Sequence, residues 1–271
     1  MPELPEVETT RRGIAPHLLG RVIAGVVLRA ARLRLPLAPI LGEELTGRRI
    51  VAVERRGKYL LIRCDGGTLI VHLGMSGHLR LVAAGTPAGK YDHVELVLDN
   101  GRLLRLSDPR KFGTVLWVSG DPFRHPLLAN LGPEPLTGEF SATYLHECSR
   151  GRKVAVKPFL MDNRIVVGVG NIYANEALFR AGIDPATPAG KLTRQQCARL
   201  TAAVHEVLTE AIALGGTTLR DYLDSEGKPG YFRLNLRVYG RSGELCGQCA
   251  SAIQLSRLGG RSTYWCPVCQ R

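Results

Sequence analysis

Four of the seven cysteines are spaced for metal chemistry. Cys246 and Cys249 form one C-x-x-C pair and Cys266 and Cys269 a second, with sixteen residues between the pairs. Two intervening residues let a tight turn aim both thiolates of a pair at one ion, so the spacing reads as a site for one structural Zn2+. Four thiolates leave no open coordination position, so such an ion staples a fold and is not itself the catalyst. Two disulfides are the competing arrangement, disfavoured by the odd cysteine number and by a reducing compartment. Cys64, Cys148 and Cys197 stand alone in sequence and read as buried free thiols.

A second feature is the run Val166-Val167-Gly168-Val169-Gly170-Asn171. It leads into a helix expected over 171–181 and closed by Gly182. A helix N-terminus presents free N–H groups and a positive dipole end, so the turn can hold a phosphate; it can equally be a plain tight turn. From 230 to 271 the chain has six arginines, no lysine and one acidic residue, Glu244. A basic zinc module of this kind suits a DNA contact.

These groups need elements to position them. Short β-type runs fill the first half: 22–28, 59–63, 68–72, 94–98 and 114–118. Asp65-Gly66-Gly67 and Asp99-Asn100-Gly101 supply turns between them. Many short strands with few helical patterns predict a sandwich or barrel. Ahead of them Pro5-Glu6-Val7-Glu8 reads as a helix start, with proline early and glutamates complementing the dipole. Pro122, Pro126, Pro133 and Pro135 mark 120–138 as a linker. Beyond it the period lengthens. Thr193-x-x-Gln196 is a capping box, and Cys197, Leu200, Val204, Val207, Leu208, Ala211 and Ile212 make the apolar face of a long helix stopped by Gly215-Gly216.

The whole chain has 271 residues, with 36 Lys+Arg against 24 Asp+Glu, a net charge of +12. That excess points towards a polyanion such as nucleic acid. A hydrophobic content of 45% supplies a core and excludes wholesale disorder. No apolar run approaches the ~18 residues of a membrane span. The opening MPELPEVE is acidic and proline-containing, unlike a secretory signal. A soluble, cytoplasmic protein is expected.

The segments MPELPEVETTRRG, HLGMSGHL, DPRKFG, KPFLMDNRIVVGVGNIYANEALF, GGTTLRDYLDSEGKPGYF and GRSTYWCPVCQ run in order from residue 1 to residue 270. Together they resemble the bacterial formamidopyrimidine-DNA glycosylases, which excise oxidised purines from DNA. The resemblance implies an α+β multidomain fold. It comprises an N-terminal catalytic β-sandwich with a leading helix (1–119), a linker (120–140), a helix–two-turn–helix domain (141–232) and a zinc-finger hairpin (233–271). The stretch 217–231 resembles a loop that closes over the extruded base. Its glycines permit motion, consistent with a lid. The implied partner is double-stranded DNA containing an oxidised base, with no membrane involved and the protein a monomer.

The resemblance also assigns residues. Removal of Met1 frees a secondary amine at Pro2. An α-amine has an ordinary pKa near ~8, so a neutral nucleophilic fraction exists at neutral pH. While Met1 is attached, the same nitrogen is an amide without a nucleophilic lone pair. Glu3 resembles the proton donor to the sugar O4′, a task for a carboxylic acid kept protonated. Glu6 resembles a supporting carboxylate, though a helix-dipole role fits it as well. Lys58 is implied to contact flanking phosphates and to move a proton during β-elimination. Arg261 resembles the donor for δ-elimination; a guanidinium holds its protons tightly, which favours phosphate binding. Met75, Arg110 and Phe112 match residues inserted where the nucleotide is flipped out: apolar wedges, and donors for the orphaned partner base. His72, His93, Lys153 and Asn171 resemble DNA-backbone contacts. Two alternatives remain open, a related glycosylase for oxidised pyrimidines and a non-catalytic DNA-binding zinc protein.

Overall fold

The structure, a computed structural model, describes residues 2–216 and 236–271. The expected base-capping loop 217–231 falls outside the described residues, as does Met1. The described chain divides into two compact units, one holding 2–129 with 214–216 and the other 130–213 with 236–271.

The first unit begins with helix α1 (Leu4–Leu18). Glu3 precedes it in a reciprocal capping box: the Glu6 carboxylate accepts the Glu3 N–H at 2.8 Å, and the Glu3 side chain accepts the Glu6 N–H. Pro5 occupies the second helical position, where no intrahelical N–H bond is required. The helix therefore starts one residue earlier than the proline suggested. Leu4, Val7, Ile14 and Leu18 are buried at helical spacing.

After α1 come β1 (Ile23–Leu28), the short helix α2 (Leu41–Leu45), β2 (Ile50–Arg56), β3 (Tyr59–Cys64) and β4 (Gly67–His72). The series continues with β5 (His78–Ala83), β6 (Asp92–Leu98), β7 (Arg102–Ser107) and β8 (Thr114–Val118). Two antiparallel four-stranded sheets result, ordered β1-β6-β7-β5 and β2-β3-β4-β8. Alternate residues face one shared core. Leu60, Ile62, Leu69 and Val71 come from one sheet, Leu96, Leu98, Leu104 and Leu106 from the other, and Val7, Ile14 and Leu18 from α1. The β-sandwich expectation holds.

Three strands absent from the sequence reading, β2, β5 and β7, carry arginines within them. Arg105 of β7 is 1% exposed. Its Nε lies 2.5 Å from Glu95 Oε1, and its other nitrogens donate to the carbonyls of Thr86 at 2.7 Å and Pro87 at 3.0 Å. It thereby ties the β5–β6 connection to the sheet.

The expected linker contains a turn of helix, α3 (Pro126–Ala129). The second unit holds α4 (Ala142–Ser149), α5 (Val156–Leu160), α6 (Asn171–Ala181) and α7 (Arg194–Ala213), then the hairpin β9 (Gln254–Leu258) and β10 (Arg261–Trp265). Gly182 closes α6 at φ +68°, and Thr193 and Gln196 exchange capping bonds at 2.9 and 3.1 Å. The hairpin is not detached from the helices. The fully buried Lys157 of α5 donates to the Ser262 carbonyl at 2.7 Å and to Thr263 Oγ1 at 2.9 Å. On α6, Asn175 accepts the Tyr264 N–H at 2.8 Å, and Glu176 accepts the N–H groups of Arg237, Val238 and Tyr239. No helix among the described residues is long and apolar enough to cross a membrane.

Glu8 fastens α1 to β2. Its carboxylate meets Arg11 and Arg12 at 2.8 Å and Arg55 of β2 at 3.2 Å. Burial pushes this carboxyl up, but the Arg11 and Arg12 hydrogen bonds and the Arg55 charge outweigh burial and hold it at about 2. A folded value below the unfolded 4.5 means stability that is present above pH 4.5 and lost as pH falls towards about 2. Glu8→Gln should lower stability at pH 7 and flatten the acid limb of a denaturation series between these values; an unchanged acid limb would remove Glu8 from that role.

Candidate functional site

The N-terminal residues form the first group. Pro2 is buried, Glu3 and Glu6 are each 2% exposed, and the capping box fixes both carboxylates against the first turn of α1. Gly216 lies against Glu6. Its φ of +82° favours glycine, and a Cβ there would press on Glu6 Oε1 at 3.0 Å.

Lys58 and His72 make a second group. Lys58 follows Gly57 in the β2–β3 turn, and His72 ends β4 directly across from Tyr59, with ring centroids 4.8 Å apart. The Gly74 N–H donates to His72 Nδ1 at 3.0 Å, which leaves the proton of a neutral ring on Nε2. Burial pushes His72 down to about 4, helped by the charges of Lys58 and Arg34. At neutral pH the ring is thus an uncharged N–H donor in a positive setting, suited to a phosphate oxygen. Arg34, absent from the sequence reading, is exposed, and its backbone N–H donates to the Gly113 carbonyl at 2.9 Å.

Met75 lies on the β4–β5 loop, and Arg110 and Phe112 on the β7–β8 loop; the structure brings the two loops together. A Cβ on Gly74 would lie 2.5 Å from backbone atoms of Phe112 and Gly113, so the loops touch main chain to main chain. Phe112 is 44% exposed, Met75 is half-buried, and the exposed Arg110 guanidinium stacks 5.0 Å from the Phe112 ring centre. His93 is buried, and its Nε2 contacts the Asp108 carbonyl at 3.0 Å. That contact supports the loop bearing Arg110.

The remaining expected residues lie in the second unit. Lys153 is exposed between α4 and α5. Asn171 opens α6 behind Gly170, and its Nδ2 donates to the Ser262 carbonyl at 3.1 Å. Arg261 is exposed at the start of β10, after a two-residue turn in which Gly259 and Gly260 both have positive φ. Lys157 and Asn171 thus converge on Ser262, next to Arg261. Neither Lys157 nor the Asn175–Glu176 pair was singled out from sequence, although all three lie within the quoted KPFLMDNRIVVGVGNIYANEALF segment.

The four cysteines converge. The sulfurs of Cys246, Cys249, Cys266 and Cys269 all lie within 4.8 Å of one another. Two pairs stand at 3.3 and 3.8 Å. Thiolates about 2.3 Å from a tetrahedral ion sit about 3.8 Å apart, so the set fits one metal ion. Phe179, Val238 and Ile253 pack around it.

Comparison with known proteins follows this division. Residues 1–115 match the formamidopyrimidine-DNA glycosylase N-terminal domain, and residues 131–222 match the formamidopyrimidine-DNA glycosylase H2TH domain. The sandwich, the H2TH helices and the four-cysteine hairpin define a DNA glycosylase of the H2TH class. The formamidopyrimidine-DNA glycosylase of Geotalea uraniireducens is 62% identical over 270 residues, and that of Geobacter sulfurreducens 61% over 271, each covering 100% of both chains. Among solved structures, the MutM (Fpg) protein of Thermus thermophilus superimposes with a TM-score of 0.89 at 42% identity, covering 99% of this chain and 98% of that one. The Lactococcus lactis Fpg (MutM) complex with DNA containing FAPY-dG gives 0.92 at 36% identity, covering 99% and 100%. The chain belongs to the formamidopyrimidine-DNA glycosylase family.

Cys249→Ser should abolish metal binding at the four-cysteine cluster and weaken duplex-DNA binding with it, by about tenfold or more. Elemental analysis alongside a binding titration tests this; loss of the ion with normal DNA affinity would separate the hairpin from DNA binding.

Proposed function

We propose that this glycosylase removes oxidised purines, 8-oxoguanine and formamidopyrimidines, from duplex DNA and then cleaves the strand by β,δ-elimination. The observation that carries this reading is the buried Pro2 directly ahead of the Glu3–Glu6 capping box, at the position whose nitrogen becomes a secondary amine once Met1 is removed. A non-catalytic DNA-binding protein gives no reason for that arrangement.

In the proposed reaction the Pro2 nitrogen attacks C1′ of the extruded nucleotide, the bond from C1′ to the base breaks, and the base leaves with that electron pair and takes up the proton that the Pro2 amine gives up. Glu3 delivers a proton to O4′ as the sugar ring opens, leaving an iminium between Pro2 and C1′. Glu6 holds the Glu3 backbone in place. Lys58 binds a flanking phosphate and moves a proton as the 3′ phosphate leaves. Loss of the 5′ phosphate completes the second elimination, with Arg261 holding phosphate. His72, His93, Lys153 and Asn171 bind or support binding of the DNA backbone. The four cysteines hold one structural Zn2+, which keeps the Arg261 hairpin folded; zinc takes no part in the chemistry.

Extrusion costs a few kcal/mol of lost stacking and pairing. Met75 and Phe112 fill the gap, and Arg110 bonds the partner base, cytosine. A good contact of this kind is worth ~1–3 kcal/mol, or about tenfold to a hundredfold in discrimination. Arg110→Ala should slow excision opposite cytosine and blunt opposing-base preference, while sparing cleavage at a preformed abasic site, where no damaged base is extruded. Excision of 8-oxoguanine opposite each of the four bases, with thymine glycol as the competing substrate, measures both points. Faster release of thymine glycol would favour the oxidised-pyrimidine reading; an unchanged opposing-base preference in the variant would leave Arg110 a backbone contact.

A further inference from the structure

The reading of Met75, Arg110 and Phe112 as a wedge leaves open what makes two separate loops act as one tool. Asp108 lies at their join and is fully buried, 0% exposed. Its Oδ1 accepts the Ser76 hydroxyl of the opposite loop at 2.9 Å and the Arg110 N–H at 3.3 Å; its Oδ2 accepts the Gly113 N–H at 2.7 Å. Ser76 Oγ also accepts the Arg110 N–H, at 3.2 Å. The Asp108 carbonyl is held from behind by His93, and its N–H donates to the Tyr91 carbonyl at 2.9 Å. Lys111 lies between Arg110 and Phe112 at φ +54°, in the left-handed region that non-glycine residues uncommonly adopt.

Burying a carboxylate is costly unless donors surround it. Here the donors come from both loops. One of them, Ser76, directly follows the wedge residue Met75, and the other two belong to Arg110 and Gly113, on either side of Lys111 and Phe112. We infer that Asp108, through Ser76, is a positioning residue that locks the Met75 loop to the Arg110–Phe112 loop, so that gap filling and partner-base contact occur as one event. This inference rests on the wedge reading of those three residues. Asp108 touches no reacting atom; its action is on excision that requires extrusion, and on the choice of opposing base.

Asp108→Asn exchanges one oxygen for an NH2 group. Both oxygens face donors, so either orientation of the amide sets a donor against a donor and breaks the join. Excision of 8-oxoguanine opposite cytosine should fall about tenfold or more, and the preference for cytosine should shrink. Cleavage at a preformed abasic site should fall less than about threefold. Ser76→Ala removes only the cross-loop hydroxyl and should produce a smaller loss of the same pattern; it decides the matter if Asp108→Asn fails to fold. The double variant should be little worse than Asp108→Asn alone, because both changes break one join. Equal losses on lesion and abasic substrates with an intact cytosine preference, in Ser76→Ala or Asp108→Asn, would overturn the inference and leave the carboxylate a general support of the sandwich. Arg110→Ala is measured in parallel. If it blunts the preference and the other two variants do not, the lock alone is wrong; if it too leaves the preference intact, the wedge reading falls, and the lock with it.

Discussion

The reciprocal hydrogen bonds between Glu3 and Glu6 hold the first turn of the protein where a chain end would ordinarily fray. A nucleophile at a terminus is useful only if its position is fixed relative to the groups that act on the same sugar. The capping bonds contribute about 1 kcal/mol. Burial of Leu4, Val7, Ile14 and Leu18 contributes more, at about 1.5–3 kcal/mol for each large side chain. Glu8 then fastens the helix to β2 through Arg55. The placement of Pro2 is therefore a consequence of the sandwich core, reached through one amphipathic helix.

Buried polar groups do the same work for the loops. Asp108 gathers donors from two connections, Arg105 closes on the carbonyls of the β5–β6 connection, and Lys157 reaches the hairpin carrying Arg261. Each must offset the cost of leaving water, and each does so with several directed bonds. Apolar packing of the same volume could stabilise these places equally well, but it would not fix the direction in which Met75, Arg110 or Arg261 points. In each unit, rigid strands and helices carry the exposed side chains on short loops that such groups restrain, a combination suited to binding a deformed duplex without reorganising.

Much of this was legible in the sequence because the signals were local. The five strands with clean apolar runs, the Thr193–Gln196 cap, the Gly182 stop and the two cysteine pairs depend on neighbours a few residues apart. The resemblance added the assignments of Pro2, Glu3 and the wedge, which spacing alone does not give. Strands β5 and β7 were hidden because Arg80 and Arg105 interrupt their apolar runs, and a buried Arg105 paired with Glu95 leaves no periodic trace; β2 shows only the short apolar run Ile50–Val53 before Glu54, Arg55 and Arg56. Asp108, Ser76, Lys157 and Glu176 were missed for a related reason. Their partners for the most part lie tens of residues away, at separations of 32 for Ser76–Asp108 and 105 for Lys157–Ser262. A lone Asp or Lys in a motif does not announce that it is buried. Gly216 was readable as a helix stop, but not as the neighbour of Glu6.

The central claim is that the mature N-terminal nitrogen forms the bond to DNA. Borohydride reduction of the protein on duplex DNA containing 8-oxoguanine, followed by proteolysis and mass spectrometry of the cross-linked peptide, tests it directly. The expected product is a chain beginning at Pro2 with the sugar remnant on that residue, and no adduct on chains that retain Met1. A remnant on Lys58 with Pro2 unmodified would contradict the claim and move the covalent chemistry to the β2–β3 turn.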